Sequence, residues 1–315
     1  MTSVVPKVSV VIPCYNQGHF IDEAVASVLA QTYQNFEIII VNDGSTDDAT
    51  IRLLENYTAP KTRVLHTTNQ GLAEARNNGI AIAAGDYILP LDADDKIGSA
   101  YMERAVRVLD DNDTVGIVYC QGMYFGEKAG EWKLPEYKLS LLLLDNMIFC
   151  SAFFRKTDWM AVGGYNKEMI YGWEDYDFWL SLVGLGREVY KIPEPLFYYR
   201  ARADSMVNAM RSEQYLYSAR QIFKHHVELY RQNAHALHEN ILSLREEVRL
   251  LEEEVRLLKL KTKAQQLELN RLLHAIGRKI YMFAREHPRL ERQARRLTGE
   301  LRRAYRRLRP PGDGS

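Results

Sequence analysis

Three carboxylates within four residues, Asp92, Asp94 and Asp95, repel one another unless a cation neutralises them. Hard oxygen ligands packed this densely suit Mg2+ or Mn2+, held by one or two carboxylates while phosphate oxygens complete the shell. A solvated turn leading into a helix is the plain alternative. A calcium-binding EF-hand is another, since Glu103 falls where its last ligand would lie, but Lys96 and Ile97 stand where that loop needs a ligand and a glycine.

A second acidic constellation, Trp173-Glu174-Asp175-Tyr176-Asp177, comes shortly after Gly163-Gly164-Tyr165. A carboxylate framed by aromatics is partly desolvated, which raises its pKa toward values useful to a general base. Aromatic faces also suit the apolar faces of sugar rings. Acids at these positions equally favour the dipole at the start of a helix, and the two readings are compatible.

These residues need elements to hold them. The first ninety residues alternate strand and helix signals. Val8 to Ile12, Phe36 to Val41, Arg63 to His66 and Tyr87 to Leu91 read as strands, with helices over Ile21 to Leu29, from an N-cap at Ser45 or Thr46 through Leu54, and over Leu72 to Ala84. Apolar runs without alternation are strands buried on both faces, so the pattern predicts an α/β fold built on a mostly parallel sheet with helices on either side. Further on, Met102 to Leu109 and Tyr176 to Leu185 read as helices, and Gly116 to Cys120, Val189 to Ile192 and Leu196 to Tyr199 as strands.

In such a sheet, ligands sit beyond the carboxyl ends of the strands. Three polar segments fall there: Pro13-Cys14-Tyr15-Asn16, Asn42-Asp43-Gly44-Ser45 and Asp92-Ala93-Asp94-Asp95. Each alone reads as a turn; their repetition on one sheet edge points to a site. The first turn lacks the GxGxxG that lets a pyrophosphate approach the backbone, and no Walker A sequence is present. Phosphate charge must then be met by metal and side chains, and Arg76 is a candidate.

The ordered set VSVVIPCYN, VNDGSTDD, NQGLAEARNNG, DYILPLDADD, GGYN and GWEDYDFW resembles glycosyltransferase family 2, inverting enzymes of the GT-A fold, over about residues 7–205. The resemblance implies that Asp43 recognises the nucleotide base, with Pro13 and Tyr15 lining its pocket and Arg76 near the diphosphate or ribose. It makes Asp92 and Asp94 the DxD pair, with Asp94 the principal metal ligand. It assigns the catalytic base to Asp175 and acceptor binding to Glu174, with Trp173 and Tyr165 beside it. Many relatives carry a histidine late in the domain, where this chain reads Tyr199-Arg200-Ala201-Arg202. Arginine stays protonated and cannot ligate a metal, so Arg202 is expected to pair with phosphate oxygens.

The implied reaction moves a sugar from a nucleotide-diphospho-sugar, UDP-linked in most of the family, to a hydroxyl of a glycan or lipid-linked acceptor in cell-surface polysaccharide assembly. Mg2+ or Mn2+ would be the cofactor. The alternative is a scaffold whose transferase-like body binds nucleotide-sugar without turnover. A nucleotidyltransferase would carry a glycine-rich basic loop after the first strand, which is missing here.

The 315 residues carry 41 Lys and Arg against 41 Asp and Glu, yet the charge is uneven: residues 277–315 hold 12 basic and 4 acidic residues. A hydrophobic content of 46% excludes wholesale disorder. Cys14, Cys120 and Cys150 are too far apart for a CxxC site or a disulfide framework, which fits a reducing compartment. The start of the chain does not read as a signal peptide, and no run reaches the ~18 to 20 apolar residues that span a bilayer.

The organisation expected is a transferase domain over 1–211, a helical coiled-coil segment over 212–276 and a basic amphipathic tail over 277–315. Ile241, Val248 and Val255 fall at heptad position a, and Leu244, Leu251 and Leu258 at d, a pattern that favours a parallel homodimer. Phe223, Val227, Tyr230 and Ala234 extend the register backward. In the tail, Leu290, Ala294, Leu297, Leu301, Tyr305 and Leu308 make one stripe among arginines, the pattern of a helix lying on an anionic membrane surface. Nucleic acid is the less favoured partner. The location expected is cytoplasmic, with peripheral attachment at the inner face of the cell membrane.

Overall fold

Val8 to Ile12 is the centre of β1 (Val8–Cys14), in which every residue is buried. The computed structural model describes residues 5–202 and 210–286. β1 lies between β2 (Phe36–Asp43) and β4 (Tyr87–Pro90), and β2 lies beside β3 (Thr62–Thr67), all parallel. In β2 only Glu37 escapes full burial, where it accepts from Ser9 Oγ at 2.7 Å and pairs with Arg63 at 3.0 Å. The apolar strands β1 and β2 are covered by α1 (Gly18–Leu29) and α3 (Leu72–Ile82), with α2 (Asp48–Glu55) against α1.

The register matters for the site. Cys14 stands opposite Asn42, and Val11 opposite Pro90, so the segments that leave β1, β2 and β4 emerge at one edge. The expected cap of α2 shifts by one or two residues. Asp47 is the N-cap and accepts from Thr50 N at 2.8 Å. Ser45 and Thr46 are engaged instead by Asn16 of the first turn, whose Oδ1 accepts from Thr46 N at 2.7 Å and whose own N–H donates to Ser45 Oγ at 3.1 Å.

The remaining strands make the sheet mixed. β5 (Lys96–Ile97), α4 (Tyr101–Asp111), β6 (Val115–Gly126), β7 (Gly130–Trp132), α5 (Leu139–Leu142), β8 (Phe153–Arg155), α6 (Lys156–Val162), α7 (Glu174–Gly184) and β9 (Glu188–Ala201) follow in chain order. The sheet runs β3-β2-β1-β4-β8-β6-β9-β5, with β7 on β6. β8 is antiparallel to both β4 and β6, whereas β6 and β9 are parallel.

After the sheet come α8 (Ser212–His225), α9 (Val227–Gln232) and α10 (Ala234–Glu286), the last 53 residues long. The backward extension of the heptad register is interrupted, because His226 and Asn233 leave helical geometry at φ −112° and −106°. Ile222 is buried, and Leu229, Tyr230 and Leu237 pack against the core. The chain divides into two compact bodies, Met1–Asn240 and Ile241–Ser315. In the second body α10 continues past Ile276 to Glu286, and the stripe from Leu290 to Leu308 lies outside the described residues. Among the described residues no helix is long and apolar enough to cross a membrane.

Candidate active site

Asp92, Asp94 and Asp95 follow β4 at the shared edge, and each carboxylate is held differently. Asp92 Oδ1 accepts from Arg76 at 2.7 Å, and its Oδ2 from the Cys150 thiol at 3.2 Å. Asp94 Oδ2 pairs with Arg202 at 3.1 Å. Asp95 Oδ1 accepts from Arg200 N at 2.8 Å, while its buried Oδ2 has no partner. Burial first, and the neighbouring acids second, push the Asp94 and Asp95 carboxyls upward, Asp95 the more strongly.

Ligand atoms of Asp92, Asp95 and Cys150 lie within 4.8 Å of one another. Burial and then Asp92 push the Cys150 thiol well above its ordinary value, so it stays protonated and is a poor partner for a hard cation. The carboxylate of Asp92 and the unpartnered Oδ2 of Asp95 are oxygen donors that such a cation takes, whereas Asp94 Oδ2 is paired with Arg202 and stands outside that group. The residues present fit the ion.

Arg76 is buried. One Nη bonds Asp92 and the other bonds Glu174, and the guanidinium lies 5.6 Å from the Tyr165 ring centroid. Burial disfavours its charge, but Asp92 and Glu174 outweigh this and hold the pKa well above the ordinary value. One side chain thus ties the DxD segment to the Glu174-Asp175 segment. Arg76→Met leaves both carboxylates without their cation, and we expect a loss of about 3 to 5 kcal/mol in chemical denaturation.

Asp175 lies in the first turn of α7. Its Oδ1 accepts from the N–H of Tyr176 at 2.7 Å and its Oδ2 from Asn146 Nδ2 at 3.3 Å. Burial, then the adjacent Glu174, push its carboxyl up to about 7, against the lowering pull of Arg76. A carboxylate poised near neutrality is matched to general-base work. Trp173 precedes the helix in the left-handed region, at φ 68°. A bulky residue there is strained, and such strain is found where a site needs a fixed geometry.

Tyr165 is buried, its ring stacked on Phe178 at 4.3 Å. It lies beside Arg76, whose guanidinium is 5.6 Å from its ring centroid. Asn77 holds the turn that puts it there. Its Oδ1 accepts from Tyr165 N at 2.8 Å and Trp159 Nε1 at 3.0 Å, and its Nδ2 donates to Tyr165 O at 2.8 Å. A Cβ on Gly164, itself at φ 85°, would stand 2.7 Å from Asn77 Oδ1, so this turn needs glycine.

On the nucleotide side, Pro13 is buried in β1 and Tyr15 is exposed at the edge. Asp43 is buried and organises the loop before α3. Its Oδ1 accepts from Gln70 N at 3.0 Å and Thr67 Oγ1 at 3.3 Å, and its Oδ2 from Gly71 N at 2.9 Å. A carboxylate offers about four lone-pair sites, so Oδ2 keeps capacity for a further donor.

Ion pairs thus join Asp92, Arg76 and Glu174, and a separate pair joins Asp94 and Arg202; Asp175 follows Glu174 in the chain, and Asp43 and Tyr15 lie at the adjoining strand ends. Cys150, Asn146 and Arg200 also take part, although no motif singled them out. Arg200 donates to Asp94 O at 2.8 Å and stacks on Phe125 at 4.3 Å. Its only sequence signal was its nearness to Arg202.

A sequence model of the family described as "Glycosyl transferase family 2" matches residues 9–166. An uncharacterized glycosyltransferase of Haemophilus influenzae is 32% identical over 230 residues, covering 66% of this chain and 70% of that protein. Among solved structures, S. aureus TarS in complex with UDP-GlcNAc aligns with a TM-score of 0.58 and 20% identity over 70% of this chain and 66% of that one. The mannosyltransferase PcManGT from Pyrobaculum calidifontis, in complex with GDP-Man and Mn2+, aligns with a TM-score of 0.54 and 20% identity over 73% of this chain and 65% of that one.

Proposed function

Because the chain belongs to glycosyltransferase family 2, we propose that it transfers a sugar, with inversion, from a UDP-linked donor to a hydroxyl of a glycan or lipid-linked acceptor in cell-surface polysaccharide assembly. The observation that carries this reading is Asp175: a carboxyl raised to about 7, held by Asn146 and tied through Glu174 and Arg76 to the DxD segment.

Asp43 and Tyr15 receive the base, and Arg202 and Arg200 lie beside the acids where diphosphate charge must be met. When bound at Asp92 and Asp94, Mg2+ or Mn2+ supplies charge neutralisation for the leaving diphosphate. Asp175 takes the proton of the acceptor hydroxyl as it attacks the anomeric carbon from the face opposite the diphosphate. Arg76 fixes Glu174 and so the start of α7, which keeps the base in register with the donor. A UDP-linked donor in this chain finds support in a neighbour solved with UDP-GlcNAc; the other was solved with GDP-Man. Calorimetric titration with UDP and GDP, each with Mn2+, tests it. UDP binding the more tightly is the expected result, and GDP binding the more tightly contradicts the donor.

The exposed face of α10 belongs in this reading to a parallel dimer. Ile241, Leu244, Val248, Leu251, Val255 and Leu258 are each about half exposed on one helix, and such a stripe is stable in water when a second copy covers it. Glu254 at g meets Lys259 at e of the partner helix, whereas Glu247 faces Glu252, so the apolar seam supplies most of the stability. Val248→Asp combined with Val255→Asp should halve the mass seen by light scattering; a wild type already monomeric at micromolar concentration contradicts the dimer. The basic segment 277–315, with 12 basic and 4 acidic residues, suits an anionic lipid surface at the cytoplasmic face, and co-sedimentation with anionic but not neutral liposomes is the corresponding test.

A further inference from the structure

Helix α8, outside the residues that match the family, follows the loop that carries the base almost residue by residue. Tyr217 meets Tyr171 edge-on at 5.3 Å, Ser218 Oγ donates to Gly172 O at 3.5 Å, and Tyr215 meets Trp173 at 4.8 Å with the rings at 76°. At the far end, His226 Nε2 and His225 Nδ1 lie 3.0 and 3.3 Å from Asp177 Oδ1. Ser218 and His226 are buried, as packing contacts should be. Tyr215 is different: it remains 51% exposed although it stands against Trp173.

Two aromatic rings nearly at right angles make an inner corner. Trp173, itself only partly covered, also meets Tyr176 edge-on at 5.9 Å, and it precedes Asp175 by two residues. Asn146 reaches the same carboxylate from the loop after α5. A sugar ring has apolar C–H faces and a polar rim. An exposed tyrosine beside an indole offers a surface for the face and a hydroxyl for the rim.

We propose that α8 completes the acceptor site, with Tyr215 and Trp173 forming a corner that seats a sugar ring of the acceptor beside Asp175. The inference rests on the transferase reading and names a residue class and a substrate class that reading leaves open: a carbohydrate, held by the ring adjoining the attacking hydroxyl. The contacts of Ser218 and His226 then hold the corner at a fixed distance from the base, as positioning residues.

The test uses the full chain with UDP and Mn2+ and, as probes, a panel of methyl glycosides of common hexoses and N-acetylhexosamines. Saturation transfer from protein to glycoside is read by NMR. For the best glycoside of the panel, Tyr215→Ala should reduce transfer about 5-fold or more, the size of one aromatic contact. Tyr215→Phe keeps the ring and loses only the hydroxyl, so it should retain more transfer than Tyr215→Ala. Leu216→Ala, at the next exposed position of the same helix, should change nothing. Tyr215 is half exposed, so all three variants should melt with the wild type. Undiminished transfer in Tyr215→Ala overturns the inference, and so does a wild type that contacts no glycoside in the panel at millimolar concentration. UDP binding is titrated separately: a wild type that does not bind UDP counts against the transferase reading, whereas intact UDP binding with undiminished transfer in Tyr215→Ala removes the corner alone.

Discussion

Asp175→Asn should lower turnover at saturating donor by about 10²- to 10⁴-fold, the range that general-base catalysis contributes. The amide keeps the shape of the carboxylate and, through its single oxygen, one of the two bonds from Tyr176 N and Asn146 Nδ2, but it cannot take a proton. Donor affinity should scarcely change. The wild-type rate should rise with pH through about 7 and level off above it, because the base works only when deprotonated. This limb should vanish in the variant. Stability should move the other way. The folded carboxyl titrates near 7 against 3.8 in the unfolded chain, so the folded protein keeps a proton that the unfolded chain has lost between those values. Its contribution to stability is present below 3.8 and is lost as pH rises through 7. Asp175→Asn should therefore melt above the wild type at pH 8, and the difference should shrink toward pH 4. If donor affinity collapses while saturated turnover survives, Asp175 is structural and Glu174 becomes the candidate.

The second large effect concerns the cation. Excess chelator should abolish release of nucleoside diphosphate, and Mn2+ should restore it. Asp94→Ala should lower release by about 10²-fold or more, as expected when one preorganised electrostatic partner is lost. The fold should survive, because the Asp94 carboxyl is already pushed up by burial and by Asp92, and its removal relieves that repulsion. The loss of its pairing with Arg202 keeps the gain small. Full turnover in chelator would remove the metal from the account.

The parallel half of the sheet was legible because β1, β2 and β4 are apolar runs, and their register sends the polar turns to one edge. The other half was less so. β9 reads in sequence as two strands parted by Pro193 and Pro195, yet it is one element from Glu188 to Ala201. Its ladder with β6 skips from Ile192 to Pro195 opposite consecutive residues Cys120 and Gln121, and this irregularity absorbs the prolines. The strands β5, β7 and β8 are two or three residues long, too short for any period to declare itself.

Within the site, residue types announced the acids but not their partners. Arg76 looks in sequence like a phosphate ligand, and only the packing of α3 against the sheet shows that it bridges Asp92 and Glu174. Cys150 and Asn146 come from a segment whose role depends on long-range contacts. The breaks at His226 and Asn233 carry no glycine or proline, so a heptad count runs straight through them.

We propose that the full chain turns over a nucleotide-sugar with Asp175 as base. The measurement that bears on it most directly is release of nucleoside diphosphate from a panel of UDP- and GDP-linked sugars in Mn2+, run in parallel on the wild type and Asp175→Asn. The wild type should cleave a UDP-linked sugar, and the variant should do so at a rate at least about 10²-fold lower. Equal rates in the two proteins, or a wild type that binds nucleotide and releases nothing from any donor, would contradict it and leave a scaffold that holds a nucleotide-sugar without turning it over.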